Sequence, residues 1–155
     1  MTALSADAPR SHRGKKELDV IPIATGEQIR IGSAVVFKTS TGRAKAASAA
    51  TGQRTAGVAI GFIGPNGDGL GVTDGSEEVE VAYLDEREFA IATAIRTNAA
   101  LGLDVNWADD NTVAGVAVGT AALRIAAGEL VRFSTSDKSK GWVAVRRFRG
   151  VAIAI

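Results

Sequence analysis

Apolar residues in this chain recur with a period of two, in short runs separated by turn residues. Between Glu78 and Leu84, Val79, Val81 and Tyr83 fall on one face and Glu78 and Glu80 on the other. From Phe89 onward, Ile91, Thr93 and Ile95 alternate with Ala90, Ala92 and Ala94. Successive side chains of a strand point to opposite faces, so this period predicts half-buried strands. Further strands are predicted at 18–23, 28–31, 34–38, 57–62, 103–107, 113–118, 130–135 and 142–148. Pro22 cannot donate to a ladder and puts the first of these at a sheet edge. Thr39 is followed by Ser40, Thr41 and Gly42, a turn signal. Two Ala-rich stretches, 44–51 and 121–127, favour helix by composition but are too short to hold one alone. They are read as loops or single turns.

Three short words recur in the same order along the chain. Ile31 to Phe37 is similar to Leu101 to Trp107, Ala56 to Gly61 to Ala114 to Gly119, and Glu77 to Val81 to Glu129 to Phe133. The preserved order predicts a duplicated unit, at about 31–83 and 101–133. A single meander of this size cannot bury its apolar face, whereas two stacked or fused copies can. The fold class that follows is all-β, a small β-barrel or sandwich built from two related β-meander repeats. The β domain is expected over 18–135. Ahead of it, residues 1–17 form a flexible basic arm, and 136–155 form a C-terminal strand and tail extension. The arm is expected to be dispensable for folding.

Composition narrows the chemistry. Hydrophobic residues make up 46%, enough for a core, but 28 alanines and 18 glycines stand beside only 5% aromatics. Such small side chains suit thin sandwiches and small barrels. The chain has no Cys, which excludes disulfides, thiolate nucleophiles and Cys-based metal sites. Its one His, His12, lies on the arm, where a general base would lack fixed geometry. An enzyme is therefore not expected, and neither is a metal or other cofactor. No run is long enough for a membrane helix, and no apolar leader segment opens the chain, so no membrane partner is expected.

The net charge is +1, but the signs are segregated. Arg10, Arg13, Lys15 and Lys16 cluster on the arm; Glu77, Glu78, Glu80, Asp85, Glu86 and Glu88 lie mid-chain; Lys138, Lys140, Arg146, Arg147 and Arg149 lie near the end. Segregated charge points to complementary patches on a partner or a sister subunit. Four stretches resemble ligand motifs. The Gly-rich run Gly64 to Gly71 lacks the Lys-Ser/Thr ending of a phosphate loop and the spacing of a calcium loop, and reads as a long surface turn. Asp104, Asn106, Asp109 and Asp110 could suggest a metal loop, but Ala108 to Asn111 reads as a hairpin turn. Glu78 and Glu80 share a strand face without an identifiable acid–base partner, which favours a solvated face or a subunit contact. Trp142 and Phe148 interleaved with Arg146 and Arg147 could bind nucleic acid by stacking and phosphate contacts, or form a strand at a protein interface.

The layout resembles the capsid cement, or head-decoration, proteins of tailed bacteriophages. The residues that carry the resemblance are Gly32 to Phe37, Gly57 to Gly61, Glu78 to Ala82, Gly102 to Trp107, Gly115 to Gly119 and Val131 to Phe133, spanning roughly 18–135. The basic arm and the C-terminal extension depart from the family pattern. The resemblance implies a homotrimer on the outside of an assembled head, bound to the major capsid protein and stabilising the shell against internal DNA pressure. It implies location on the virion exterior after synthesis in the host cytoplasm. Under it, Arg10, His12, Arg13, Lys15 and Lys16 are candidate capsid contacts. Glu78, Glu80, Trp142, Arg146 and Arg147 are candidates for a subunit or capsid interface. The alternative is a small nucleic-acid-binding β-barrel using the C-terminal basic strand. On the cement reading, nucleic acid is not a partner.

Overall fold

The computed structural model describes residues 3–38, 40–49, 54–73, 75–115 and 126–147. Strand accounts for 48% and helix for 5%, so the fold is all-β. The strands are β1 (His12–Arg13), β2 (Glu17–Pro22), β3 (Ala34–Phe37), β4 (Ala44–Ala46), β5 (Arg54–Ile63), β6 (Glu78–Tyr83), β7 (Glu86–Ile91), β8 (Asp104–Trp107), β9 (Thr112–Gly115), β10 (Ala126–Phe133) and β11 (Lys140–Val145). Two 3-10 turns, Thr93–Ile95 and Asn98–Ala100, link β7 to β8.

These strands make two small barrels. The first has the order β2-β6-β5-β3-β4 and closes through a parallel contact of Ile23 with Ala44. The second has the order β7-β11-β10-β8-β9 and closes through parallel pairing of β7 with β9, where Ile91 meets Val113. Strand for strand, the first five repeat in the second five. The repeat holds at the level of single bonds. Ala24 N–H donates to the Ala44 carbonyl at 2.9 Å, and Ala92 N–H to the Val113 carbonyl at 2.9 Å. Gly32 N–H donates to Ala59 O at 2.9 Å, and Gly102 N–H to Leu130 O at 2.8 Å. Gly57 sits opposite Val35, and Gly128 opposite Val105.

This register corrects two of the three repeated words. Ile31–Phe37 and Leu101–Trp107 do coincide, on β3 and β8. The partner of Ala56-Gly57 is Ala127-Gly128 on β10, not Ala114-Gly115, which lies on β9. The partner of β6 is β11, so Val81-Ala82 answers to Val143-Ala144 and not to the 129–133 word. Ala114-Gly115, the part of the 114–119 word within the described residues, shares the composition of β5 without its place.

Each barrel is filled by its own side chains. Ile21, Ile23, Val35, Ala56, Ala59 and Val81 pack in the first, with Phe37 and Phe62 partly buried beside them. Phe89, Ile91, Val105, Ala127, Leu130 and Val143 take the equivalent places in the second, with Trp107 and Phe133. The outward residues Ala34, Val36 and Val58 of the first barrel join the second cluster and weld the two together. Bulk is exchanged between copies at one point. Where the first barrel has Ala59 and Val79, the second has Leu130 and Gly141. A Cβ on Gly141 would lie 2.9 Å from the Arg132 carbonyl oxygen, 3.1 Å from Leu130 Cδ1 and 3.2 Å from Ile91 Cδ1, so shortening Leu130 relieves part of the crowding. We expect Leu130→Ala to cost about 3 kcal/mol and Gly141→Val about 2 kcal/mol. The double variant, which brings back the first barrel's pair of side chains while leaving the contact with the Arg132 carbonyl, should recover about 1 kcal/mol relative to their sum. Denaturant melts of the four proteins measure this.

Several predicted elements shift. The strand expected over 28–31 is reduced to a single bridge of Gln28 to Leu70. The Ala-rich 44–51 stretch contains strand β4, because Ala44 is fully buried where it pairs with Ile23 and β4 pairs along β3. The strand from Phe89 ends at Ile91, and the alternation through Ile95 continues as a 3-10 turn. The Ala121–Ala127 stretch enters β10 at Ala126; its earlier part, and 116–118, lie outside the described residues. Ala108 to Asn111 is the hairpin turn between β8 and β9.

Candidate functional site

The arm preceding β2 has little regular structure of its own, as its polar sequence predicts, and it lies along the body. It crosses the seam between the barrels. Leu4 N–H donates to Asp110 Oδ1 at 2.9 Å, and Ala8 N–H to Ile31 O at 2.7 Å. Asp7 Oδ1 accepts the Ile31 N–H at 2.8 Å. Arg10 is the main anchor. Its Nε donates to Gly32 O in the first barrel. Its Nη1 donates to Glu88 O at 2.9 Å and its Nη2 to Asn111 Oδ1 at 2.7 Å, both in the second. The guanidinium stacks 4.0 Å from the centre of the Phe89 ring. Burial pushes Arg10 down to about 10, against the pull of Asp110, Glu88 and Asp109. It remains a cation at neutral pH, and its planar fork of donors suits three acceptors at once. The arm then pairs as β1 on β7, His12 with Arg87 and Arg13 with Glu86.

The seam is held by buried polar contacts as well. Asp110 Oδ2 accepts the Ser33 hydroxyl at 2.8 Å, and its carbonyl accepts Ala34 N–H at 2.8 Å. Trp107 Nε1 donates to Thr55 Oγ1 at 3.0 Å and meets Phe89 edge-on at 4.9 Å. The covalent link between the barrels is short. Leu84 takes a φ of 72°, and the buried ion pair of Asp85 with Arg87, 2.9 Å, follows at once.

The candidate residues therefore separate into different roles. Arg10 is spent inside the molecule, whereas His12, Lys15 and Lys16 are exposed. Arg13 is exposed and lies 4.7 Å from the centre of the Trp142 ring. Arg147 falls beyond β11 and reaches back to the first barrel. Its Nη1 pairs with Asp19 at 2.9 Å, its Nε donates to Ala56 O at 2.7 Å, and its guanidinium stacks 3.9 Å from the Tyr83 ring. It is thus a clamp between barrels, held from free contact with a partner. Arg146 is exposed on the Trp142 side of β11. Val143 and Val145 face the core.

Glu78, Glu80, Trp142, Arg13 and Arg146 lie on outer surfaces. On the first barrel, Glu78 and Glu80 are ringed by Leu18, Val20 and Ile63, all exposed. On the corresponding face of the second, Arg13 and Arg132 approach the Trp142 ring, and Arg132 pairs loosely with Glu86 at 3.7 Å. Equivalent faces of the two copies thus differ in character: one is acidic and apolar, and the other sets Trp142 among mixed charges, with Arg13 and Arg132 beside Glu86 and Glu88.

The Gly-rich run is a turn whose anion-binding capacity is already used. The backbone N–H groups of Asn66 and Gly67 donate to the two Glu77 carboxylate oxygens, at 2.9 and 3.2 Å. Glu77 is fully buried at the foot of the loop, so the sequence cluster Glu77, Glu78 and Glu80 is divided between a structural carboxylate and two surface ones. Nothing in the spacing of that cluster signalled this role. We expect Glu77→Ala to cost about 2–3 kcal/mol and to speed hydrogen exchange at Asn66 and Gly67. Amide exchange followed by NMR reads both effects. Among the described residues no group of three His, Cys, Asp or Glu is placed to hold a metal ion. In comparisons with known proteins, the sequence matches no family model and no curated protein.

Proposed function

We propose that the protein is a head-decoration protein of a tailed bacteriophage, which binds the outer surface of an assembled capsid and stabilises it. It acts by binding, without chemistry, and its partner is the major capsid protein. Beyond the sequence resemblance, the observation that carries the reading is the pair of solidly filled barrels with unlike outer faces. The acidic, apolar face around Glu78 and Glu80 can meet the aromatic ring of Trp142 and the cations Arg13 and Arg132 on the other face, where Glu86 and Glu88 also lie and limit the charge complementarity. A head-to-tail contact between these faces is heterologous, and it closes into a ring when the rotation per subunit divides the circle. Three subunits suit a site of three-fold symmetry. A ring presents several weak contacts together, which yields tight attachment without a deep pocket.

The nucleic-acid reading draws on fewer cations than the sequence offered, since Arg147 is held by Asp19 and Tyr83. Two experiments test the proposal. Native mass spectrometry at micromolar concentration is expected to show a trimer, and the protein is expected to co-sediment with assembled heads. A monomer that stays in the supernatant overturns it.

A further inference from the structure

Corresponding edges of the two barrels are filled differently. In the second barrel, the first half of β7 carries β1 on the side away from β11. Arg10 extends that cover to the Glu88 carbonyl. The corresponding half-strand in the first barrel is Leu18 to Val20 of β2. One side of β2 pairs with β6 from Glu17 to Pro22. The other side meets β4 only past its end, at Ile23. Among the described residues no strand lies along that side of residues 17–20.

The backbone there faces outward. Val20 occupies the place of Glu88, whose carbonyl points to the arm, and a strand residue's N–H and C=O point to the same side. The Val20 N–H bonds instead to the side chain of its neighbour, Asp19 Oδ1, at 2.8 Å. Leu18 and Val20 are 51% and 39% exposed beside this edge.

The surroundings define what fits. Glu17, Glu78 and Glu80 lie on or next to the edge. The filled edge, flanked by Glu86 and Glu88, is taken by a strand containing His12 and Arg13 with Lys15 and Lys16 just beyond. A second copy's β2 is disfavoured, because pairing edge to edge would set Glu17 and its neighbours against like charge. We propose that residues 17–20 of β2 are a strand-addition site for an extended, cationic segment of a second protein. Main-chain bonds to the outward groups of Leu18 and Val20 supply affinity, and basic side chains over Glu78 and Glu80 supply selectivity. The site stands on the barrel geometry and not on the decoration reading; if that reading holds, the segment is one of the shell subunit's.

The test uses the full chain and a synthetic peptide of residues 8–16 as the cationic probe. Titration into isotope-labelled protein is expected to shift the amides of residues 17–20 and 78–80 in a saturable way. A peptide with Arg10, Arg13, Lys15 and Lys16 changed to Glu should bind at least about tenfold more weakly. Val20→Pro removes the outward N–H and should abolish the shifts. Leu18→Lys with Val20→Lys, both at exposed positions, should weaken binding at least about tenfold while leaving the amide spectrum of the core unchanged. Shifts that are absent, that map only to β7 where the tethered arm sits, or that persist unchanged in the variants overturn the proposal. Head co-sedimentation reads the decoration proposal separately.

Discussion

Gly128→Val is expected to leave no folded protein at 37 °C, and Gly128→Ala to cost about 3 kcal/mol or more. Gly128 has a φ of 149°, which L side chains rarely adopt, and a Cβ there would fall inside the carbonyl of Ala144 on the neighbouring strand. Gly57, its counterpart, has a φ of 151° and would place a Cβ 2.5 Å from the Ala82 carbonyl. Both positions sit at a register shift, where the strand bends sharply to close its barrel. Gly115 is the informative control. Sequence alone marks it as the partner of Gly57, and Gly115→Val would then be as damaging. In the structure its φ is not in the left-handed region, and among the described residues a Cβ would meet only the Ile95 Cγ2 methyl, at 2.9 Å. Its cost is expected at about 1 kcal/mol. Thermal melts separate the cases, since each kcal/mol lowers the midpoint by about 2–4 °C in a chain of this size. Equal damage at Gly115 and Gly128 would refute the register of the duplication.

The pattern of period two made the strand content legible, and the order of similar words made the duplication legible. The phase of the duplication was not. Phase depends on which strands are neighbours across a closed barrel, and the contact of Ile23 with Ala44 leaves no mark in local sequence. The short strand β4 was hidden for a related reason: alanine favours helix in isolation, and here pairing with β3 and Ile23, distant in the pattern, holds it as a strand. Among the candidate site residues, the outward Glu78 and Glu80 were legible from alternation. The roles of Glu77 and Arg147 were not, because each is fixed by a partner distant in sequence, the 66–67 backbone for one and Asp19 for the other. A basic residue on an expected interface strand and a basic clamp between barrels look alike until the partner is known.

The same ambiguity applied to the arm, and Arg10→Ala is the second large effect expected. A polar, basic N-terminal stretch predicts a tether that folding can do without. Arg10 instead bonds to Gly32 on one barrel and to Glu88 and Asn111 on the other, with Phe89 beneath it. Hydrogen bonds from a charged group are each worth about 1.5–3 kcal/mol, and the carbonyls left behind lose a partner at a half-buried seam. Three such bonds share one side chain and do not add, so the expected loss is about 3 kcal/mol, or about 6–12 °C in melting midpoint. Arg10→Lys should recover little, because an ammonium cannot span three acceptors in the guanidinium plane. Removal of residues 1–13 should cost at least as much as Arg10→Ala. Faster amide exchange at Ile31 and Gly32 would locate the damage at the seam, where Ala8 lies close against Gly32. Unchanged stability on removing residues 1–13 would mean that the barrels hold together without the strap. With the expected loss, the arm is a structural element first, and its exposed His12, Arg13, Lys15 and Lys16 are the basic side chains left to meet a partner.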